Sequence, residues 1–148
     1  MKPKREKLAR HRHVRSNKER AKGSNARLPG EKGYRMRGAS SVAPGDLTIA
    51  KEFVRRLAER IDSGRFQVTL FGSRARGDAD EESDLDLLVR LKENDPEGVV
   101  KAVVSHIACD LTLEHGVLVA AFVADEKFLK QHGEFSFLET VEKEGVPL

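Results

Sequence analysis

The residue types able to do chemistry cluster between positions 70 and 90, in the stretch "LFGSRARGDADEESDLDLLVR". Asp84 and Asp86 interrupt an apolar run with a period of two, and side chains two apart on a strand share one face, about 6.6 Å apart. Leu85, Leu87 and Val89 then take the opposite face. Two neighbouring carboxylates in a half-buried strand repel each other and lose hydration. A hard divalent cation removes that penalty, and a carboxylate pair holding Mg²⁺ against the phosphates of a nucleoside triphosphate suits this spacing. Upstream, Gly72-Ser73 ends another apolar run. Glycine there permits close backbone approach, and backbone N–H groups with a hydroxyl can cradle phosphate oxygens. Arg74 and Arg76 add positive charge beside them. The pattern reads as a nucleotide site, with Gly72, Ser73, Arg74 and Arg76 toward the phosphates and Asp84 and Asp86 toward the metal.

Each fragment alone says little. Gly-Ser turns are common, and an Asp-Leu-Asp alternation more often marks a half-exposed strand. The acidic loop fails as a calcium-binding EF-hand, because Ser83 stands where that loop needs Gly and Val89 where it needs Glu. Arg76-Gly77-Asp78 spells an adhesion tripeptide in a chain without secretory features. Specificity resides in the combination: strand, Gly-Ser, ten residues, Asp-x-Asp, strand.

The surrounding elements must hold these residues in place. Pro44-Gly45 reads as a break and Asp46 as the N-cap of a helix carrying Leu47, Ala50, Phe53, Val54, Leu57, Ala58 and Ile61, with Gly64 as its stop. Phe66, Val68 and Leu70 alternate with polar residues as a strand, and a second strand covers about Asp84 to Leu91. Asp95-Pro96 is a helix start, with Val99, Val100, Val103, Ile107 and Leu111 as the expected buried stripe, ending at His115-Gly116. "VLVAAFVA" at 117–124 is apolar on both faces and reads as an interior strand. Short helices over Asp125–His132 and Phe135–Glu144 follow, with Gly145 as a stop. The order predicts an α+β (mixed α/β) domain, a small mixed β-sheet flanked by helices.

Composition separates this domain from the residues that precede it. Of 148 residues, 1–45 hold 14 Lys/Arg against 3 Asp/Glu, while 46–148 hold 13 against 21. A basic arm over 1–45 thus precedes an acidic domain over 46–148. The arm offers few sizeable apolar residues, too few to offset the ordering entropy of about 1–2 kcal/mol per residue. Disorder is expected, with a transient helix near 4–22 and Met36 as an alternative start. Attraction to nucleic acid through counterion release is one role for such an arm, and a solvated extension is the other. With no Trp and one Tyr, the composition argues against the aromatic base-stacking platforms that single-strand nucleic-acid binders use. Cys109 alone excludes an internal disulfide framework and a Cys-based zinc site. His11 and His13 have no second pair of ligands, and Ser105, His106 and Cys109 have no triad partners. No apolar run approaches the ~18 residues of a membrane span, so a cytoplasmic protein without membrane contact is expected.

"FGSRARGDADEESDLDLLV" resembles the Gly-Ser, ten residues, Asp-x-Asp signature of the DNA polymerase β-like nucleotidyltransferases. It is most similar to the minimal nucleotidyltransferases of prokaryotes, many encoded beside HEPN-type toxin ribonucleases and some adenylylating the toxin. The resemblance spans about 47–148. It implies a nucleotidyltransferase-like fold, Mg²⁺, a nucleoside triphosphate donor (ATP), and transfer of AMP to a hydroxyl of a helical HEPN-type partner. The family carries a third carboxylate on the strand after the second helix, and "GVLVAAFVA" contains none. Asp110 is the candidate third ligand if "CDLTL" is that strand, with Asp125 behind it, whereas the stripe Val103, Ile107, Leu111 keeps Asp110 on a helix. Two alternatives stay open: a binding module of this fold that neutralises a partner by occlusion, and a small-molecule transferase of the aminoglycoside type.

Overall fold

The computed structural model describes residues 41–148. The chain divides into two units, Met1–Lys32 and Gly33–Leu148, and every described residue falls in the second. For residues 1–40 the expected disorder of the basic arm, its helix near 4–22, His11, His13 and Met36 lie outside the described residues, whereas 41–45, expected to belong to the arm, are ordered. The fold already engages the chain ahead of Asp46: Val42 is buried in the core, and the Ser41 hydroxyl donates to the Ala75 carbonyl at 2.9 Å.

Helix α1 spans Pro44–Ala58 and buries Ile49, Ala50, Phe53 and Leu57 at helical spacing. The expected N-cap is corrected. Ala43 is the N-cap and Pro44 takes the first turn, where its missing N–H costs nothing. Asp46 lies within the first turn and is buried. After a 3-10 turn at Ser63–Arg65, strand β1 (Phe66–Phe71) runs directly into a five-residue helix, α2 (Gly72–Arg76). An acidic loop leads to β2 (Leu85–Leu91), then α3 (Val99–His115), β3 (Val119–Ala124), α4 (Glu126–His132), α5 (Ser136–Glu144) and a two-residue strand, β4 (Val146–Pro147).

Helix α3 starts later than Asp95-Pro96 suggested, because Gly98 at φ 67° interposes. The Asp95 carboxylate still serves the helix, accepting from the backbone N–H groups of Lys101 at 3.0 Å and Val100 at 3.3 Å. Its buried stripe is Val100, Val104, Ile107, Ala108 and Leu111, and Val99 is exposed rather than buried. Asp125 caps α4, accepting from the Phe128 N–H at 2.7 Å.

Among the described residues the strands form one sheet in the order β3-β2-β1-β4. β1 is antiparallel to β2 and β4, and β2 is parallel to β3 through the crossover helix α3. β3 is therefore an edge strand and not the interior strand expected. Apolar character on both faces does not determine a strand's neighbours in the hydrogen-bonding direction, and only Val119 and Ala124 of β3 are buried. One sheet face, with Val68, Leu70, Leu85, Leu87 and Val89, packs on Phe53 and Leu57 of α1 and on Ile107 and Leu111 of α3. The other carries a smaller cluster of Phe71, Leu88, Ala124, Leu138 and Val141. Asp86 belongs to this second face.

Candidate active site

β2 holds Asp86 between Leu85 and Leu87, both fully buried on the α1–α3 face. Strand alternation thus turns the carboxylate onto the other face, as its spacing predicts. Asp84 immediately precedes the strand and is half-buried. The antiparallel register pairs Phe71 with Asp86, so β1 ends beside the carboxylate and the next residue, Gly72, is pressed against it. Gly72 has φ +77°, and a Cβ there would collide with Oδ2 of Asp86. Only glycine meets both demands. The ten-residue spacer is therefore the length of chain that returns Asp-x-Asp to the Gly-Ser turn.

Helix α2 closes quickly. The Ser73 carbonyl accepts from the N–H groups of Gly77 at 3.0 Å and Asp78 at 3.1 Å. Gly77 adopts φ +81° with the Ser41 carbonyl 2.7 Å from where a Cβ would sit. The loop that follows is tied to itself. Asp80 accepts from the Ser83 hydroxyl at 2.7 Å and the Glu82 N–H at 3.1 Å. The Ser83 hydrogen bond, first among these, holds the Asp80 carboxyl below its ordinary value.

The two arginines take different places. Arg76 reaches Glu144 of α5 at 3.0 Å and Asp78 at 3.2 Å; it is partly exposed, and its charge also acts on Asp86. Arg74, expected on a phosphate, is buried instead. Its Nη1 donates to Oδ1 of Asp46 at 2.7 Å and its Nε to the Ser83 carbonyl at 2.8 Å. Its guanidinium clips the first turn of α1 to the residue before Asp84, which leaves little surface for a phosphate. Sequence reasoning missed Asp46 here although a signal existed. The helical period that turns Ile49, Ala50, Phe53 and Leu57 inward also turns Asp46 inward, and a buried carboxylate needs a cation.

Burial pushes the Asp86 carboxyl above its ordinary value, the charge of Asp84 pushes it further, and Arg76 only partly offsets them. Asp86 thus faces negative charge that Arg76 does not fully offset, the condition a divalent cation relieves. Mg²⁺ is held by one or two carboxylates completed with phosphate and water, so Asp84 and Asp86 fit it. A fuller protein cage is absent: among the described residues no three His, Cys, Asp or Glu side chains group for a metal. Asp110 is not brought to the site. It is exposed on α3, which packs on the far face of the sheet. Asp125 is the cap of α4. The residue in register beside Asp86 on β3 is Ala120.

These features coincide with a family. The nucleotidyltransferase domain model matches residues 49–145, which brackets the Gly-Ser turn, both carboxylates and all the strands but the last. This chain belongs to the nucleotidyltransferase domain family. Two proteins of Methanocaldococcus jannaschii, each named "Putative protein adenylyltransferase", resemble it. One is 35% identical over 100 residues, covering 68% of this chain and 95% of that relative. The second is 35% identical over 95 residues, covering 64% and 89%. The nucleotidyltransferase is accordingly an enzyme of nucleotide transfer, with a mixed α/β fold. No helix among the described residues is long and apolar enough to cross a membrane.

Proposed function

We propose that this nucleotidyltransferase transfers the AMP group of Mg-ATP to a hydroxyl on a protein acceptor. The observation that carries the reading is the contact between Gly72 and the Asp86 carboxylate, which joins the phosphate-binding turn to the metal-binding pair. The names of the two relatives support an adenylyl group as the one transferred and a protein as the acceptor. The Gly72–Ser73 backbone and the Ser73 hydroxyl hold the β- and γ-phosphates. Asp84 and Asp86 hold Mg²⁺, which when bound neutralises triphosphate charge. Arg76, partly exposed beside Asp86, offsets charge on the departing pyrophosphate, while Arg74 acts from behind by fixing the loop ahead of Asp84. The acceptor oxygen bonds to the α-phosphorus, the bond to pyrophosphate breaks, and the hydroxyl proton passes to solvent. The acceptor to which the motif resemblance points is an all-helical HEPN-type partner.

Incubation of the protein and that partner with α-labelled ATP and Mg²⁺ tests this. Label enters the partner with release of pyrophosphate, and Asp84→Asn or Asp86→Asn lowers the rate by about 10³-fold or more, a loss of roughly 4 kcal/mol of transition-state stabilisation. Transfer that survives both substitutions would sink the reading. Ala120 beside Asp86 favours a second one. With no third carboxylate at that position, the domain neutralises its partner by occlusion. Neutralisation that persists in the Asp84→Ala/Asp86→Ala double variant selects that reading.

A further inference from the structure

The sheet face that carries Asp86 also carries three aromatic rings. Phe71 ends β1, Phe122 stands on β3 and Phe137 on the first turn of α5. Their centroids lie 5.2 Å apart for Phe71–Phe137, 5.9 Å for Phe122–Phe137 and 6.2 Å for Phe71–Phe122. Phe71 is buried within the smaller core, but Phe122 is 50% exposed and Phe137 37%. Rings of this size normally bury their faces, so two half-open ones beside a charged site call for a ligand.

The sheet register fixes where they stand. Ala120 is beside Asp86, and Phe122 is the next residue on that face, beside Leu88. Strand spacings of about 4.8 Å across and 6.6 Å along place Phe122 roughly 8 Å from Asp86. Between them β3 raises only the methyl group of Ala120. Gly72 and Ser73 lie on the other side of Asp86, beyond the end of β1. A nucleotide with its terminal phosphates at Gly72–Ser73 and its α-phosphate at Asp86 therefore passes its ribose over Ala120 toward the rings.

We propose that Phe122 and Phe137 form the stacking platform for the nucleobase of the donor nucleotide. The proposal rests on the reading of Gly72, Ser73, Asp84 and Asp86 as the triphosphate site, and adds the part of the molecule that recognises the base. Ring faces supply stacking without hydrogen-bond donors, so they hold a base by area of contact.

Calorimetric titration of the full-length protein with Mg-ATP and, separately, with Mg-tripolyphosphate tests the platform, because the second probe has neither base nor sugar. Phe122→Ala is expected to weaken Mg-ATP about tenfold or more and leave Mg-tripolyphosphate within about twofold. That second value also reports that the variant is folded. Phe122→Tyr, which keeps the ring, is expected to restore Mg-ATP affinity. The platform is overturned if Phe122→Ala binds Mg-ATP like the wild type, if both probes weaken equally, or if only the KM for the protein acceptor rises. It is also overturned, alone, if wild-type protein binds tripolyphosphate as tightly as ATP. Wild-type protein that binds neither probe overturns the triphosphate site and the platform with it.

Discussion

The two faces of the sheet are built from the same strands and do opposite work. On one, Leu85, Leu87 and Val89 meet Phe53, Leu57, Ile107 and Leu111 in a dry interior. On the other, Asp86 and Ala120 lie uncovered enough for chemistry, flanked by a smaller cluster around Leu138 and Val141. Because strand side chains alternate, β2 separates the buried apolar residues from the candidate site one residue at a time. A carboxylate facing negative charge that is not fully offset is tolerable on one face because the other supplies most of the apolar burial.

That division can be broken from either side. The largest stability effect is expected from Arg74→Ala. It strands the Asp46 carboxylate in the interior and is expected to cost about 3–5 kcal/mol, measured by urea denaturation. Asp46→Ala/Arg74→Met should recover much of that loss, because neither charge is then left alone. Leu87→Ala opens a cavity beneath Asp86 and is expected to cost about 2–5 kcal/mol, again by denaturation, through packing alone. Gly72→Ala sits across the division. Strain at φ +77° and collision with Asp86 are expected to cost about 1–3 kcal/mol, and titration with Mg-ATP should show affinity falling with stability.

The smallest and most diagnostic effect has the opposite sign. Asp86 has a raised pKa in the folded protein, so its ionised form destabilises the fold at neutral pH. Asp86→Asn should therefore gain a little stability, the smallest of these effects because the group is partly solvated, while losing nucleotide transfer. The gain should be largest near pH 7, shrink as pH falls through the raised pKa of Asp86, and vanish below its ordinary value of 3.8. Thermal melts of both proteins across that range check it. A variant less stable than wild type at pH 7 would mean that Asp86 is already compensated.

Much of this fold was legible in the sequence. Alternation revealed β1 and β2, helical spacing revealed α1 and α3, and Asp125 and Gly145 marked α4 and the end of α5. β4 escaped because two residues show no period. The edge position of β3 escaped because residues 119–124 are apolar on both faces wherever the strand sits in its sheet. Arg74 looked like a phosphate ligand because the motif places it after Gly72-Ser73, and only the path of α1 shows that its partner is Asp46.

The approach of Gly72 to Asp86, and the face on which Asp86 stands, were set by the sequence alone. Both are local matters, set by a strand period of two and by the length of one connecting loop. Tertiary structure alone decided which arginine is buried, that Asp110 belongs to the far face, and that Ala120 lies beside Asp86 with Phe122 one step further along β3. Those facts depend on contacts between segments 30 or so residues apart, about the length of a βαβ unit, and composition and periodicity carry no record of which distant segments meet.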